Sequence, residues 1–299
     1  DGIGRGGDAG DRGARRAGGD DEDGGGRGGG GGGRGPAGGI SDLGVEGEGA
    51  HSVGGIDFNG VGAIGNGGER GISANAGLEV VLVDRDIEAA EKGKAYSHKL
   101  VSDQIMKGRA KTADRDALLG RIKASADYAD LKGCDLIVEA VFEDPKVKAE
   151  VIAKVEAVVG PRTIFGSNTS TLPITGLAEA SQRPKNFIGI HFFSPVEKML
   201  LVEVIMAKKT GKKALAMALD FVRAIKKTPI VVNDVRGFYA NRCVGNYIRE
   251  GHLMLMEGVP PAMIEAAGKQ AGMPVGPLSL NDEVAVDLAW KILQATEAD

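Results

Sequence analysis

Lysine is absent from the first 91 residues of this 299-residue chain, and aromatic side chains are scarce throughout, at 4% of the total. Positions 1–77 hold one aromatic, Phe58, but 32 of the 48 glycines, in runs such as Gly28 to Gly33. Such a segment cannot bury enough apolar surface to offset the entropy of the chain, so residues 1–59 are expected to be low-complexity and disordered. Their glycines keep no three-residue period, which excludes a collagen-like triple helix. Cysteine is nearly missing: Cys134 and Cys243 form no CxxC pair and have no histidine at ligand spacing, which excludes a disulfide framework and a zinc site. No metal is expected. There is no run of 18 apolar residues, so no membrane-spanning helix is expected, and the N-terminus lacks the apolar core of a signal peptide. The expected compartment is the cytoplasm. An excess of positive charge is also missing: residues 1–77 carry 12 acids against 7 arginines, and the remainder 29 acids against 30 bases. The arginine-glycine stretch from Gly26 to Gly35 lies beside Asp20, Asp21, Glu22 and Asp23 and has no interleaved aromatics, so nucleic acid is not an expected partner.

From about Leu78 onward the chain has the composition of a globular protein, with enough length for a sizeable core. Leu78 to Val83 (LEVVLV) is a continuous apolar, β-branched run that reads as a buried parallel strand ending at Asp84. Ile87 to Lys107 reads as a helix and Cys134 to Val141 (CDLIVEAV) as a second buried strand. Pro145 then stands where a helix favours its first residue, followed by Val147, Val151, Val155 and Val158 at helical spacing. Short strands follow at Thr163 to Ser167, Phe187 to Phe193, Leu201 to Ile205 and Pro229 to Asn233, with a helix from Lys212 to Lys227. Strand-helix alternation of this kind predicts an α/β fold, a Rossmann-like doubly wound parallel sheet. After Arg236 the pattern becomes purely helical: Gly237 to Glu257, Pro261 to Ala271 and Ser279 to Leu293. The expected organisation is therefore residues 1–59 glycine-rich, residues 60–234 a dinucleotide-binding domain, and residues 235–299 a partial all-helical C-terminal domain.

A dinucleotide-binding domain needs an apolar strand, a glycine turn for the pyrophosphate, and an acid ending the second strand for the ribose hydroxyls. Asp84 fits the third place. Gly60, Gly62 and Gly65 satisfy G-x-G-x-x-G 24 residues before Asp84, although such a pattern arises readily by chance in a glycine-rich segment. Further on, His191 ends an apolar strand (GIHFFSP), Glu203 sits inside LVEVI, Ser170 follows a strand in GSNTSTL, and Asn241 opens the helical region in GFYANR. With SNTSTL, IHFFSP, LVEVI, VNDVRGFYANR and MPVGPLSL at these spacings, the sequence from about Ser73 onward resembles the NAD-dependent L-3-hydroxyacyl-CoA dehydrogenases. Within that family it is most similar to the dehydrogenase part of the multifunctional fatty acid oxidation complex α subunits.

The resemblance implies oxidation of L-3-hydroxyacyl-CoA to 3-ketoacyl-CoA in fatty acid β-oxidation, with NAD as cofactor and acyl-CoA as substrate. It implies His191 as the base, Glu203 as its carboxylate partner, and Ser170 and Asn241 as substrate-orienting residues. It also implies that Asp84 holds the adenosine ribose and that Glu143 and Lys148 approach the cofactor. An oligomer, as a homodimer or with a thiolase subunit, is implied in the same way. Two departures stand out. With Gly77 and Asp84 as register, the family's turn glycines are expected at the positions of Val61, Ala63 and Asn66, so the G-x-G-x-x-G that is present lies one residue off. Residues 1 to about 71 are therefore also open to an out-of-frame reading of a GC-rich gene, and the helical domain stops short of the family's length. The competing expectation is a non-catalytic fragment that keeps the fold but has a defective cofactor loop.

Overall fold

The computed structural model describes residues 52–53, 56–65 and 68–284, all within one compact unit, Glu48–Asp299. The expectation of disorder or frame error falls mostly on residues outside this described set. Two two-residue strands, β1 (Ser52–Val53) and β2 (Ile56–Asp57), pair antiparallel. The main sheet then begins at β3 (Val61–Gly65), followed by α1 (Glu69–Asn75), β4 (Val80–Val83), α2 (Ile87–Met106), α3 (Thr112–Gly120) and β5 (Ile122–Ser125). The second half runs β6 (Leu136–Ala140), α4 (Pro145–Val158), β7 (Ile164–Ser167), α5 (Ile174–Leu177), β8 (Phe187–Phe192), β9 (Leu201–Ile205), α6 (Lys212–Ala224) and β10 (Thr228–Val232). Three helices close the described chain: α7 (Ala240–Met256), α8 (Pro261–Gln270) and α9 (Pro277–Val284).

The eight strands are ordered β10-β9-β8-β7-β6-β3-β4-β5. Strands β3 to β8 are mutually parallel, whereas β9 is antiparallel to β8 and β10 runs parallel to β9. The doubly wound sheet expected from the sequence is thus present, with its last two strands reversed. Strand order changes direction between β3 and β6, and ligands of open α/β sheets lie beyond the strand ends at such a switch.

Alternation along the strands divides the core. Val61, Leu136, Val138, Ile188 and Ile190 face α6, whose Ala214, Met217, Ala218, Phe221 and Val222 are buried against them. Ala63, Val80 and Leu82 meet α1, α2 and α3 through Ala74, Ala90 and Leu118. On the opposite face Ile64, Ile137, Phe165 and Phe187 meet Val151, Ile152 and Val155 of α4 and Ile174 and Leu177 of α5. Each fully buried side chain of this size contributes about 1.5–3 kcal/mol. Side-chain caps mark two helix starts: Asp86 accepts from the Ala89 N–H, and Asp144 accepts from the N–H groups of Lys146 and Val147, with Pro145 following as expected.

Candidate active site

In the β8–β9 ladder His191 stands directly opposite Glu203. Side chains so paired lie on one face within contact distance, and here His191 Nδ1 and Glu203 Oε2 are 2.7 Å apart. Both residues are buried. The other carboxylate oxygen, Oε1, accepts from the backbone N–H groups of Tyr239 (3.0 Å) and Ala240 (2.8 Å) where α7 begins. Burial alone would push the Glu203 carboxyl up, but the bonds from His191, Ala240 and Tyr239 outweigh it and hold it below the usual carboxylate range. Glu203 is therefore ionised at neutral pH, so Nδ1 must be the donor and Nε2 of the neutral imidazole carries the lone pair. The imidazole is flanked by two rings, Phe193 at 4.5 Å and Phe238 at 5.8 Å. Phe238 is buried with φ +51°, a left-handed backbone rare for a bulky residue.

The segment after β7 approaches the same end of the sheet. Glu143 Oε1 accepts from the Thr169 hydroxyl (2.6 Å), the Ser170 N–H (3.0 Å) and the Thr171 N–H (3.0 Å). Those bonds and Lys148 outweigh the effect of burial and hold the Glu143 carboxyl low. Asn241 Nδ2 donates to the Ser170 carbonyl at 2.9 Å, so Ser170 and Asn241, 71 residues apart, come together. Lys148 is fully buried between Glu139 (2.8 Å) and Glu143 (3.5 Å). Its ammonium group joins these two carboxylates, and Ser167 donates to the second oxygen of Glu139 at 2.8 Å.

The glycines fall differently from the sequence expectation. Gly60 precedes β3, and Gly62 lies within the strand, where a Cβ would come within 2.7 Å of Ile137 and Leu131. Only Gly65 is at the strand's C-terminal end. Its φ is +84°, and a Cβ there would lie 2.6 Å from the Ala140 carbonyl oxygen of β6. The turn therefore starts at Gly65, four residues after the position expected from Gly77 and Asp84. Four residues are about one helical turn, and α1 is correspondingly short at seven residues. Asp84 sits at the end of β4, on the other side of β3 from β6. Asp84, Gly65 and the end of β6 thus lie at the same end of the sheet.

The sequence model of a family described as 3-hydroxyacyl-CoA dehydrogenase, NAD binding domain, matches residues 56–235, and that of its C-terminal domain matches residues 237–299. The chain belongs to the 3-hydroxyacyl-CoA dehydrogenase family. The cofactor that membership assigns is NAD. A fatty acid oxidation complex subunit alpha from Shewanella amazonensis is 40% identical over 227 residues, covering 76% of this chain, and one from Shewanella loihica is 43% identical over 205 residues, covering 69%. The chain spans about a third of the length of these relatives, 32% and 29%. Among solved structures, (S)-3-hydroxybutyryl-CoA dehydrogenase PaaH1 from Ralstonia eutropha superposes with a TM-score of 0.76 at 35% identity, covering 81% of this chain and 89% of that one. FadB2 of M. tuberculosis gives 0.73 at 31%, covering 77% and 84%.

Within this family member, the structure adds residues that sequence reasoning missed. Glu139, Ser167 and Thr169 build the network beneath the 169–171 segment, and Phe238 packs on the imidazole. A signal for Glu139 existed: a lone charge inside the apolar run LIVEA, as Glu203 is inside LVEVI. Thr169 Oγ1 accepts from the Leu172 N–H at 3.1 Å, and the first residue of α5, Ile174, donates its N–H to Asp234 Oδ1 at 2.7 Å. Among the described residues no helix is long and apolar enough to cross a membrane.

Proposed function

We propose that the chain oxidises L-3-hydroxyacyl-CoA to 3-ketoacyl-CoA in fatty acid β-oxidation, with His191 as the base. The observation that carries this reading is the buried His191–Glu203 pair, whose ionised carboxylate leaves Nε2 as the proton acceptor. The residues at that end of the sheet fit NAD: a side chain at Gly65 would fill the space over Ala140, and Asp84 can accept from ribose hydroxyls. When bound, NAD supplies the hydride acceptor. Nε2 takes the proton of the C3 hydroxyl, and Glu203 stabilises the imidazolium that forms. The Ser170 hydroxyl and the Asn241 side chain orient the 3-oxygen and the acyl carbonyl, held by the contact between their two elements. Glu143 and Lys148 act as positioning residues for the Ser170 segment.

The relatives' names, subunits of a fatty acid oxidation complex, support assembly with a further subunit; a thiolase or another copy as that partner, and the cytoplasm as the compartment, are part of the proposal. A second reading, a fragment that keeps the fold but binds no dinucleotide, draws on the shortened α1. Turnover decides between them. The chain should reduce acetoacetyl-CoA with NADH, and His191→Ala should lower kcat by about 10²–10⁴-fold while NADH affinity stays within about twofold. A chain with no saturable NADH binding would favour the fragment.

A further inference from the structure

The segment that joins β10 to α7 contains two successive left-handed residues, Gly237 (φ +72°) and Phe238 (φ +51°). Such a backbone persists only where its surroundings hold it. Three sets of contacts do so. At the start of the segment, the two carboxylate oxygens of Asp234 accept from the backbone N–H groups of Ile174 and Thr175, each at 2.7 Å. In the middle, the Gly237 N–H donates to the Thr171 carbonyl at 3.2 Å. At the end, Asn241 donates to the Ser170 carbonyl, and the N–H groups of Tyr239 and Ala240 donate to Glu203. Residues 234–241 therefore run in the opposite direction along residues 170–175, with Ser170 and Asn241 at one end and Asp234 at the other. What Asp234 grips is fixed. Ile174 is fully buried over Gly189 of β8, where an added Cβ would come within 2.7 Å of it, and Thr175 Oγ1 accepts from the Lys208 N–H at 3.1 Å. Bonds from a backbone N–H to a carboxylate are about twice as strong as those between neutral groups.

We propose that Asp234 is a positioning residue for the reaction: by tying the 234–241 segment to the core through Ile174 and Thr175, it sets Asn241 against Ser170 before substrate arrives. The inference rests on the reading of Ser170 and Asn241 as the groups that orient the 3-oxygen and the acyl carbonyl. Groups of that kind act through geometry, and a displacement of about 1 Å costs on the order of 10²-fold in rate. The bond between Asn241 and Ser170 holds the far end of the pairing at one point only. With Asp234 in place the segment is held at both ends and cannot pivot about that point. Glu203 keeps its own bonds from Tyr239 and Ala240, so loss of Asp234 leaves the dyad intact and loosens the orienting pair.

Steady-state reduction of acetoacetyl-CoA by NADH, with the full 299-residue chain, tests it. Asp234→Ala should lower kcat/KM for acetoacetyl-CoA by about 10–100-fold. NADH affinity should stay within about twofold, and the pH midpoint of turnover, which belongs to the dyad, should not move. Asp234→Asn keeps the shape but offers one acceptor to two N–H groups, so it should lose less. Coupling is read from the double variant. Adding Asp234→Ala to Asn241→Ala should cost no more than about twofold beyond Asn241→Ala alone, as for residues that act as a unit. If kcat/KM of Asp234→Ala equals that of the wild type, the proposal is overturned and the reading of Ser170 and Asn241 stands. Losses that multiply in full in the double variant overturn it in the same way. Unchanged kcat/KM in Asn241→Ala overturns that reading and the inference together, as does a wild type without turnover. Should Asp234→Ala fail to fold, the isosteric Asp234→Asn carries the same comparisons, and wild-type activity in it overturns the proposal.

Discussion

Glu203 serves three donors at once: the imidazole of His191 and the N–H groups of Tyr239 and Ala240. One side chain therefore fixes the tautomer of His191 and anchors the start of α7. A carboxyl held below its usual value of 4.5 contributes stability that is full above that pH and lost as pH falls through the lower folded value. Glu203→Gln should flatten the acid side of a thermal-melt series, because the amide has no charge to lose. The same variant should lower kcat by about 10²–10³-fold, since the neutral amide neither imposes the tautomer nor stabilises the imidazolium. A loss of kcat with no change in the acid melts would separate catalysis from anchoring and contradict the double role. Phe238, in its left-handed conformation against the imidazole, is the strained residue that this anchoring holds in place.

At the level of elements, the strand β3 and its turn show how a glycine pattern can mislead. Gly60, Gly62 and Gly65 satisfy the spacing of a phosphate turn, but Gly60 precedes the strand with room for a side chain, Gly62 allows the close approach of β3 to Ile137 and Leu131, and only Gly65 turns the chain. Gly65→Ala would place a methyl group against the Ala140 carbonyl and force a left-handed alanine. The backbone term alone costs about 1–2 kcal/mol. The expected outcome is a lower urea midpoint together with loss of NADH binding; an unchanged affinity would show that the turn tolerates a side chain. Most strands and helices were legible because their apolar periods are long and clean, as in LEVVLV, CDLIVEAV and the valines of α4. Helix α3 and strand β5 were not, because α3 has one buried residue, Leu118, and β5 alternates over only four positions. Such short, half-exposed elements are set by docking against α2 and β4 rather than by a local pattern.

For the whole molecule, carboxyls shifted in opposite directions set the dependence of stability on pH. Glu143 and Glu203 are held low, so what they contribute is lost as pH falls below about 4.5. Glu69 is held high, so its contribution is full below 4.5 and is lost as pH rises toward about 7. Stability of the cofactor-free protein should therefore peak on the acid side of neutrality. Glu69→Gln should move that maximum upward and add roughly 3 kcal/mol above pH 7, from 1.36 kcal/mol per pH unit, which urea unfolding at pH 5 and pH 8 would measure. Equal stability of variant and wild type at pH 8 would contradict the cost of burying this carboxylate. By itself the sequence determined the alternation of strands and helices, because apolar period is a local property. The tertiary structure decided which residues meet and where the turn lies. Strand register placed His191 on Glu203, folding brought Asn241 to Ser170 across 71 residues, and the packing of β3 against β6 chose Gly65 among three glycines. Those choices depend on distances between segments remote in sequence, and a local pattern carries no record of them.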